Sequence, residues 1–305
     1  MRRLFLALVL ALAGVAPAKA AMVMGVGPLI VTSTYTGPQD VYASGTVSCR
    51  AFRACSSAAA AATKASNRLE RTTDNHLCDF DVLTTGVLNT VATNCAPSGD
   101  NGSTRSTWCA VGSGHCGVET IYDQQGSGDY VQATPANQFL WIEACTCMDL
   151  STAGASMVAT VTIAASPWSI YTTVKDSGSG APSEWWTTNS GPNAAGMYWE
   201  GNGGPNFQFF GNNGNLGAIN SNAVSSGVIH TVIGIWEDPT STIDADNSSV
   251  TLSTTGTDGP SATWTLSTMG TGAEFFEDIA TSAAPTTGQR SAVCTNSATF
   301  WGFSC

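Results

Sequence analysis

The sequence predicts an all-β sandwich with a few short helices, and three observations support this. The 305 residues include 32 glycines and nine tryptophans, a composition that favours strands over helices. From residue 118 onward, short apolar stretches alternate with clusters of Gly, Asn, Ser and Pro. Before that point only one stretch, CSSAAAAATKAS at 55–66, is typical of a helix. Many short strands joined by turns are characteristic of a β-sandwich.

Residues 1–20 have the features of a secretory signal peptide. Two arginines are followed by an apolar run over 4–14 that is too short to span a bilayer. The motif Ala18-Lys19-Ala20 is a small-x-small cleavage signal, so we expect the mature protein to begin at Ala21. No later segment reaches 18 uninterrupted apolar residues, so no transmembrane segment is predicted. The expected location is outside the cytoplasm, either extracellular or periplasmic.

The charge balance makes nucleic acid an unfavourable partner. Without residues 1–20 the chain keeps 8 basic residues against 22 acidic ones, a net charge of −14. Such a surface repels phosphate backbones. Acidic chains rich in Gly, Ser, Thr and Asn are common among secreted proteins that handle neutral sugars, so the composition points to a glycan partner.

The elements follow one another without a repeat or a linker. Residues 21–37 read as a lead-in or an edge strand, 68–81 as two strands joined by a turn, and 94–117 as a cysteine-containing loop. The further predicted strands are 118–122, 139–142, 157–164, 168–174, 196–200, 206–210, 230–236, 249–253 and 273–280. A closing helix is predicted over 286–300, with Thr286 or Thr287 as its cap. We therefore expect a single domain over 21–305.

The ten cysteines predict disulfides rather than a metal centre. Their number is even, as in proteins of oxidising compartments. There is no Cys-x-x-Cys pair, and the three histidines are far apart and follow no H-E-x-x-H pattern. No cofactor or metal site is predicted; calcium remains open because acidic loops supply oxygen ligands, although no EF-hand pattern is present. Proximity suggests the pairs Cys49–Cys55 and Cys294–Cys305.

Several stretches, taken in order, resemble one family. These are DVYASGTVSC at 40–49, TWCAVGSGHCGVETIYDQQGSGDYVQA at 107–133, FFEDI at 275–279 and TTGQRSAV at 286–293. They are similar to the catalytic domain of α-L-arabinofuranosidase B and to laminin-G-like domains of bacterial and phage proteins. The resemblance implies a concanavalin-like, jelly-roll β-sandwich in which Cys109 and Cys116 form a disulfide. The remaining four, Cys78, Cys95, Cys145 and Cys147, allow three pairings.

The catalytic residues that the resemblance implies are not matched. The family is a retaining glycosidase, which needs two carboxyl groups about 5–5.5 Å apart. At the nucleophile position this chain has Gly211 or Asn212, and the stretch TLSTMGTGAE at 265–274, where the acid/base is expected, has no aspartate. The family's adjacent cysteine pair is also missing, because Cys145 and Cys147 are separated by one residue. We therefore expect no hydrolysis by the family mechanism.

Other carboxylates of the chain are candidates for a catalytic role. Glu200 is the best single candidate, because it ends a predicted strand beside Trp199 and faces Gly/Asn-rich loops. A solvated glutamate at a strand end is the commoner reading of such a position. Glu274 and Glu277 are expected at ordinary surface positions, and Asp123 is expected to make local hydrogen bonds in a hairpin. No Ser/His/Asp arrangement is visible.

Six residues have side chains of the types that hold sugars. Aromatic faces pack on the C–H patches of a sugar ring, and amides bond its hydroxyls. The candidates are Trp185, Trp186, Tyr198, Trp199, Asn212 and Asn213. For any single tryptophan a place in the core is the commoner role, but the pair Trp185-Trp186 is expected in a polar loop, SEWWTTNSG, and is the least core-like.

The sequence thus predicts a secreted protein that binds glycans or surface partners. The alternative is an active α-L-arabinofuranosidase or related glycoside hydrolase with a rearranged carboxylate pair, acting on an arabinose-containing polysaccharide. A structural surface module or a phage-derived display module is a second alternative. Converging carboxylates in a groove favour the enzyme, an aromatic groove without them favours binding, and a flat surface favours a structural role. The oligomeric state is not predicted.

Overall fold

The computed structural model describes residues 35–126, 128–163, 165–176, 183–188, 195–200, 206–211, 219–253, 260 and 262–305. Their helices are α1 (Pro38–Val41), α2 (Ser57–Ala61), α3 (Arg105–Cys109) and α4 (Thr287–Trp301). Their strands are β1 (Thr46–Ala51), β2 (Ala65–Arg71), β3 (Leu77–Asp81), β4 (Thr93–Ala96), β5 (Cys116–Ile121), β6 (Tyr130–Val131), β7 (Phe139–Ile142), β8 (Cys147–Asp149), β9 (Ser156–Thr160), β10 (Trp168–Lys175), β11 (Ser183–Thr188), β12 (Ala195–Glu200), β13 (Asn206–Gly211), β14 (Ile219–Asn220), β15 (Ile229–Trp236), β16 (Thr240–Ala245), β17 (Ser248–Ser253), β18 (Thr263–Ser267) and β19 (Glu274–Thr281). None of the helices in these ranges is both long and apolar enough to cross a membrane.

Every strand pairing is antiparallel, and the pairings form two series that make the layers of an open sandwich. In the first series β1 and β8 both pair with β19, which is followed by β10, β15, β16 and β17. The second series runs β4-β3-β2-β5-β6-β9-β18-β11-β12-β13-β14. Strand β7 pairs with β5 and β8 and so joins the two series. This is the predicted all-β, concanavalin-like sandwich.

The core lies between the two layers, where aromatic rings from one series pack on the other. Phe209 of β13 meets Trp168 of β10 with ring centroids 5.8 Å apart. The same ring lies against Gly234 of β15, where any Cβ would overlap it. Glycine at this position is therefore required by the close approach of the two layers.

The strand register defines the two ends of the sandwich. Lys175 of β10 pairs with both Glu274 of β19 and Ile229 of β15, so these strand ends meet at one end, called here the Glu274 end. Phe207, near the start of β13, packs against His230, with ring centroids 5.3 Å apart. Strand β13 therefore begins at the Glu274 end and finishes at the opposite one. Its antiparallel neighbour β12 finishes at the Glu274 end.

The hairpin that follows β5 fastens the two layers together. The Asp123 carboxylate accepts hydrogen bonds from the backbone N–H of Cys49 at 3.0 Å and of Gly128 at 3.1 Å. The next residue, Gln124, accepts from the N–H of Cys55 at 2.9 Å. Asp123 and Gln124 are both buried. The hairpin makes the expected local bonds and, in addition, satisfies backbone groups of β1 and of the loop that follows it.

All ten cysteines are paired in the structure. The disulfides are Cys49–Cys55, Cys78–Cys95, Cys109–Cys116, Cys145–Cys147 and Cys294–Cys305. The two pairs predicted from proximity are present, as is the pair that the resemblance implies. Of the three pairings left open for the other four cysteines, the structure has Cys78–Cys95 with Cys145–Cys147. Five disulfides suit an oxidising compartment.

The strands and the closing helix predicted from residue 118 onward are found in the structure, but β6, β8, β11, β14, β16 and β18 have no counterpart in the prediction. All nine strands predicted from residue 118 onward are present, and the closing helix is α4, capped by Thr286. The helix predicted over 55–66 is wrong in extent, because only α2 is helical and β2 begins at Ala65. Pairing of β2 with β3 and β5 outweighs the helix propensity of its flanking alanines. The predicted loop at 94–117 also contains α3. Most of the predicted lead-in at 21–37 lies outside the described residues.

Candidate binding groove

A large concavity in the described part of the chain is a groove of about 1490 Å³ beside α4, called here the α4 groove. Residues of α4 from Gly288 to Trp301 form one wall. Other parts of the chain contribute to the rest of the lining. They are the segment that follows β1, the segment 87–90, Arg105 of α3 and the turn at 144–146. The groove is therefore a product of helices and loops on the outside of the first series of strands.

Helix α4 can form this wall because it has one buried face and one polar face. Its capping box joins Thr286 and Gln289: the Thr286 hydroxyl accepts from the Gln289 N–H at 3.3 Å, and the Gln289 amide oxygen accepts from the Thr286 N–H at 2.8 Å. The buried residues are Val293, Cys294, Ser297 and Ala298. They fix the helix on the sheet and leave the opposite face for the groove.

The exposed face of α4 carries a stripe of hydroxyls at i, i+4 and i+8. Ser291, Thr295 and Thr299 all line the groove and are all exposed. The Thr295 hydroxyl donates to the Ser291 carbonyl at 2.9 Å, and the Thr299 hydroxyl donates to the Thr295 carbonyl at 2.8 Å. These bonds use the hydroxyl protons of the two threonines and leave their oxygen lone pairs free to accept from a ligand.

Aromatic rings close the groove near the C-terminal end of α4. Phe300 meets Trp301 at 4.7 Å and Tyr35 at 6.4 Å between ring centroids, both edge to face. Trp301 also packs on Phe276 of β19 at 5.0 Å. Tyr35, Phe300 and Trp301 are each only partly buried, so part of each ring is open to solvent. This end of the groove offers apolar ring surface, edged by hydroxyl and amide groups.

A buried ion pair lies beneath the aromatic rings. Arg53 lines the groove and donates to Glu277 through Nε at 2.5 Å and through Nη2 at 2.8 Å. Glu277 is fully buried, which corrects the expectation of a surface position. Burial favours its neutral form, but the attraction and hydrogen bonds of Arg53 hold the pKa of Glu277 below its ordinary value. Tyr171 and Ser297 also donate to its Oε1, both at 2.6 Å.

A second arginine of the groove is neutralised in the same way. Arg105 donates to Glu143 through Nε at 2.7 Å and through Nη2 at 3.0 Å. The Trp141 indole also donates to Glu143 at 2.8 Å. Among the described residues that line the groove none is Asp or Glu, and both arginines already hold a carboxylate. The groove is therefore close to electrically neutral.

A smaller cleft of about 580 Å³ adjoins the groove at the Glu274 end and shares Ile229 with it. Its lining includes Lys175, His230, Asp246 and Glu274. Lys175 pairs with Glu274 at 2.7 Å. Asp246 in turn contacts His230. Both carboxylates that line this cleft therefore have a cationic partner.

His230 is held between two carboxylates. Its Nδ1 lies 2.5 Å from Asp246, and its Nε2 lies 3.3 Å from Asp176 and 2.7 Å from the Ser225 carbonyl. Burial alone favours the neutral ring, but the hydrogen bonds to Asp176 and Asp246 outweigh it and raise the pKa of His230 to about 9. The ring is therefore a buried imidazolium at neutral pH and is a poor general base there.

The tryptophans predicted to bind sugar lie in the core. Trp185 and Trp186 are on β11, not in a polar loop as expected, and with Trp199 they are at most 1% exposed. Trp185 and Trp199 pack on Phe207. In this structure none of the three offers a free ring face to a sugar. These contacts join residues that are distant in the chain, so the local sequence does not reveal them.

The other predicted residues are placed only in part. Tyr198 is half-buried on β12, with its ring 5.0 Å from that of Phe210. Glu200 ends β12, and this strand end lies at the Glu274 end of the sandwich. Asn212 and Asn213 lie outside the described residues. Among the predicted residues whose side chains are described, the three tryptophans are buried and only Tyr198 is partly exposed.

The positions implied for the family's catalytic residues are one strand end and one longer stretch. Gly211 ends β13 opposite Ala195 of β12. The stretch 265–274 begins on β18, where Thr265 pairs with Thr187 of β11, and continues to Glu274 of β19. Because Gly211 has no carboxylate and the stretch has no aspartate, the family's carboxylate pair is not matched at these positions.

Sequence reasoning missed the residues that form the groove. Ser291, Thr295 and Thr299 are one helical turn apart, and this spacing was visible once a closing helix was predicted. Arg53 and Glu277 carried no local signal, because they lie far apart in the chain. The same holds for Asp176, His230 and Asp246.

Comparisons with known proteins give a fold likeness. No family model matches the chain, and no curated protein matches it. Among solved structures, it is similar to a GH54 α-L-arabinofuranosidase soaked with a cyclic sulfate inhibitor, at 18% identity and a TM-score of 0.57. It is also similar to an arabinofuranosidase complexed with arabinofuranosyl-α-1,2-xylobiose, at 17% identity and a TM-score of 0.51.

Both alignments cover 86% of this chain and 64% of the other, so the chain spans less than two thirds of the enzymes it matches. At these identities the likeness concerns the fold alone. The resemblance read from the motifs is supported at that level: this chain is similar in fold to GH54 α-L-arabinofuranosidase.

Proposed function

We propose that the protein is secreted and binds a neutral glycan in the α4 groove without hydrolysing it. One observation carries the proposal: the α4 groove combines partly exposed aromatic residues with hydroxyl and amide groups, and its described lining has no carboxylate. Sugar rings are held by aromatic faces and hydrogen-bonding side chains, whereas a glycosidase needs two carboxyl groups. The fold likeness to arabinofuranosidases makes a plant-type polysaccharide the first ligand to test.

The electrostatics favour a neutral ligand over an acidic one. Both arginines of the groove are bound to carboxylates, so neither is available to pair with an anion without losing its partner. The full chain has a net charge of −11 at pH 7, which opposes the approach of a polyanion.

Affinity gel electrophoresis of the mature protein in arabinan or xylan tests this function. Thr295→Arg places a long charged side chain in the groove at an exposed position, so it should block retardation without unfolding the protein. Thr287→Arg is the matched control, because Thr287 is also exposed on α4 but does not line the groove. Equal retardation of both variants would place any binding elsewhere. Trp186→Ala is unsuitable as a test, because it would open a cavity in the core.

A hydrolase is the second candidate, favoured by the cleft at the Glu274 end. Asp246 and Glu274 both line it, and Glu200 ends β12 at the same end of the sandwich. Turnover of 4-nitrophenyl α-L-arabinofuranoside should be undetectable if the protein only binds. Robust turnover that is abolished by Glu200→Gln or Glu274→Gln would instead show that the protein is a hydrolase.

A further inference from the structure

The α4 groove is larger than a site for one sugar ring. Pockets that hold a drug-sized ligand measure about 300–1,000 Å³, and this groove measures about 1490 Å³. Its wall runs along α4 from Gly288 to Trp301, which is about 20 Å at a rise of 1.5 Å per residue. The shape is that of a channel for a chain molecule.

The polar groups of the wall repeat along this length. Ser291, Thr295 and Thr299 recur every four residues, so their acceptor oxygens stand about 6 Å apart along the helix axis at a rise of 1.5 Å per residue. This spacing is close to the length of a single sugar ring with its linkage. A linear oligosaccharide would therefore present hydroxyls to successive turns in the same way.

The aromatic end gives this channel a fixed terminus. Phe300 and Trp301 follow the last hydroxyl of the stripe, and Tyr35 lies across from them. Two polar side-chain atoms of residues that line this end of the groove are buried and have no hydrogen-bond partner in the structure, the Trp301 Nε1 donor and the Asn296 Oδ1 acceptor. Buried polar atoms without partners are rare.

From these features we infer that the groove takes a linear, neutral oligosaccharide of at least three sugar units, with a ring at one end packed on Phe300 and Trp301. The inference rests on the proposed glycan-binding function. It adds that a monosaccharide fills only part of the site, so affinity depends on chain length.

Titration calorimetry with arabino-oligosaccharides and xylo-oligosaccharides of one to six units tests the inference. Affinity should rise by about tenfold or more from one unit to three, because each further ring adds contacts without a second cost in translational freedom. Thr295→Val removes one hydroxyl and keeps the shape, so it should weaken trimer binding by roughly two- to tenfold. Thr287→Val, outside the groove, should leave it unchanged.

The outcomes separate this inference from the function on which it rests. Affinity that is the same for one unit and for six overturns the extended site and leaves glycan binding standing. Binding that rises with length but is insensitive to Thr295→Val also overturns it, because the chain would then lie elsewhere. No binding to any length removes both proposals. Circular dichroism and thermal melts of each variant show whether it is folded.

Discussion

Arg53 lines the α4 groove and pairs with Glu277, which is fully buried beneath it, and we expect this pair to stabilise the fold. Both side chains are at most 1% exposed and share two hydrogen bonds. The attraction between two buried charges mainly offsets the hydration free energy that they lose on burial. Removal of one partner leaves the other charged, buried and unpaired, which is the costly case.

Glu277→Gln should therefore lower the free energy of unfolding by about 3–5 kcal/mol. Glu274→Gln is the matched control, because it makes the same change on the same strand in a partly exposed pair with Lys175. There the loss should be about 1 kcal/mol or less. Urea denaturation of the two variants measures both losses in the free energy of unfolding. Equal losses would contradict the stabilising role of the buried pair.

His230 predicts a loss of stability at alkaline pH. Its folded pKa of about 9 lies above the unfolded value of about 6.5, so the imidazolium contributes stability that is fully present below about pH 6.5. That contribution disappears as the pH rises through 9. The groups that face the ring are Asp176 and Asp246, and Lys175 and Glu274 lie in the same cleft.

Melting temperatures between pH 6 and pH 10 measure this effect. The unmodified protein should melt progressively lower above about pH 7, and His230→Gln should melt lower at pH 6 with a flatter profile. His115→Gln, a change at an exposed histidine, should keep the profile of the unmodified protein. An unchanged slope in His230→Gln would assign the alkaline transition to other groups.

At the scale of elements, α4 connects local sequence to the proposed site. Its capping box fixes where the helix begins, its buried face docks on the sheet, and the spacing of its hydroxyls sets the polar wall of the groove. Thr286→Ala removes the hydroxyl that accepts from Gln289 and should cost about 1 kcal/mol. Thr287→Ala, one residue inside the helix, should cost less. Chemical denaturation compares them, and the reverse order would place the cap elsewhere.

The disulfide between Cys109 and Cys116 joins the end of α3 to the start of β5. It closes a short loop, so the entropy removed from the unfolded chain is modest, and the double variant Cys109→Ser/Cys116→Ser should lose about 2–3 kcal/mol. Peptide mapping without reduction should recover the two cysteines in one linked fragment. A free Cys109 thiol would contradict the pairing.

At the scale of the whole molecule, the sandwich is similar in fold to GH54 α-L-arabinofuranosidase, but a shared fold does not by itself carry a reaction. At the positions that the resemblance implies for the two catalytic residues, the chain has Gly211 or Asn212 and a stretch, 265–274, without an aspartate. Function on such a scaffold depends on what the loops and the added helix build at its surface. Here they build a neutral groove beside α4.

The expected export of the chain gives a further prediction at this scale. Residues 1–20 are expected to be removed, because small residues at Ala18 and Ala20 suit signal peptidase. Amino-terminal sequencing of protein recovered from outside the cytoplasm should read from Ala21. Material that still begins at Met1 would refute the cleavage prediction.

The sequence by itself determined the features that depend on near neighbours. Strand periodicity and turn residues predicted nine strands, the helix cap lies within three residues of its partner, and short separations identified two disulfides. These rest on local backbone preferences, which a linear pattern records.

Only the tertiary structure decided which side chains are exposed and which groups meet. Trp185 and Trp186 sit among polar residues in sequence, yet strands from elsewhere in the chain bring Phe207 and Trp264 against them and close them from water. Glu277 is buried because β1 and the loop after it deliver Arg53 beside β19. Burial and charge pairing come from long-range strand pairing, for which the local sequence carries no signal.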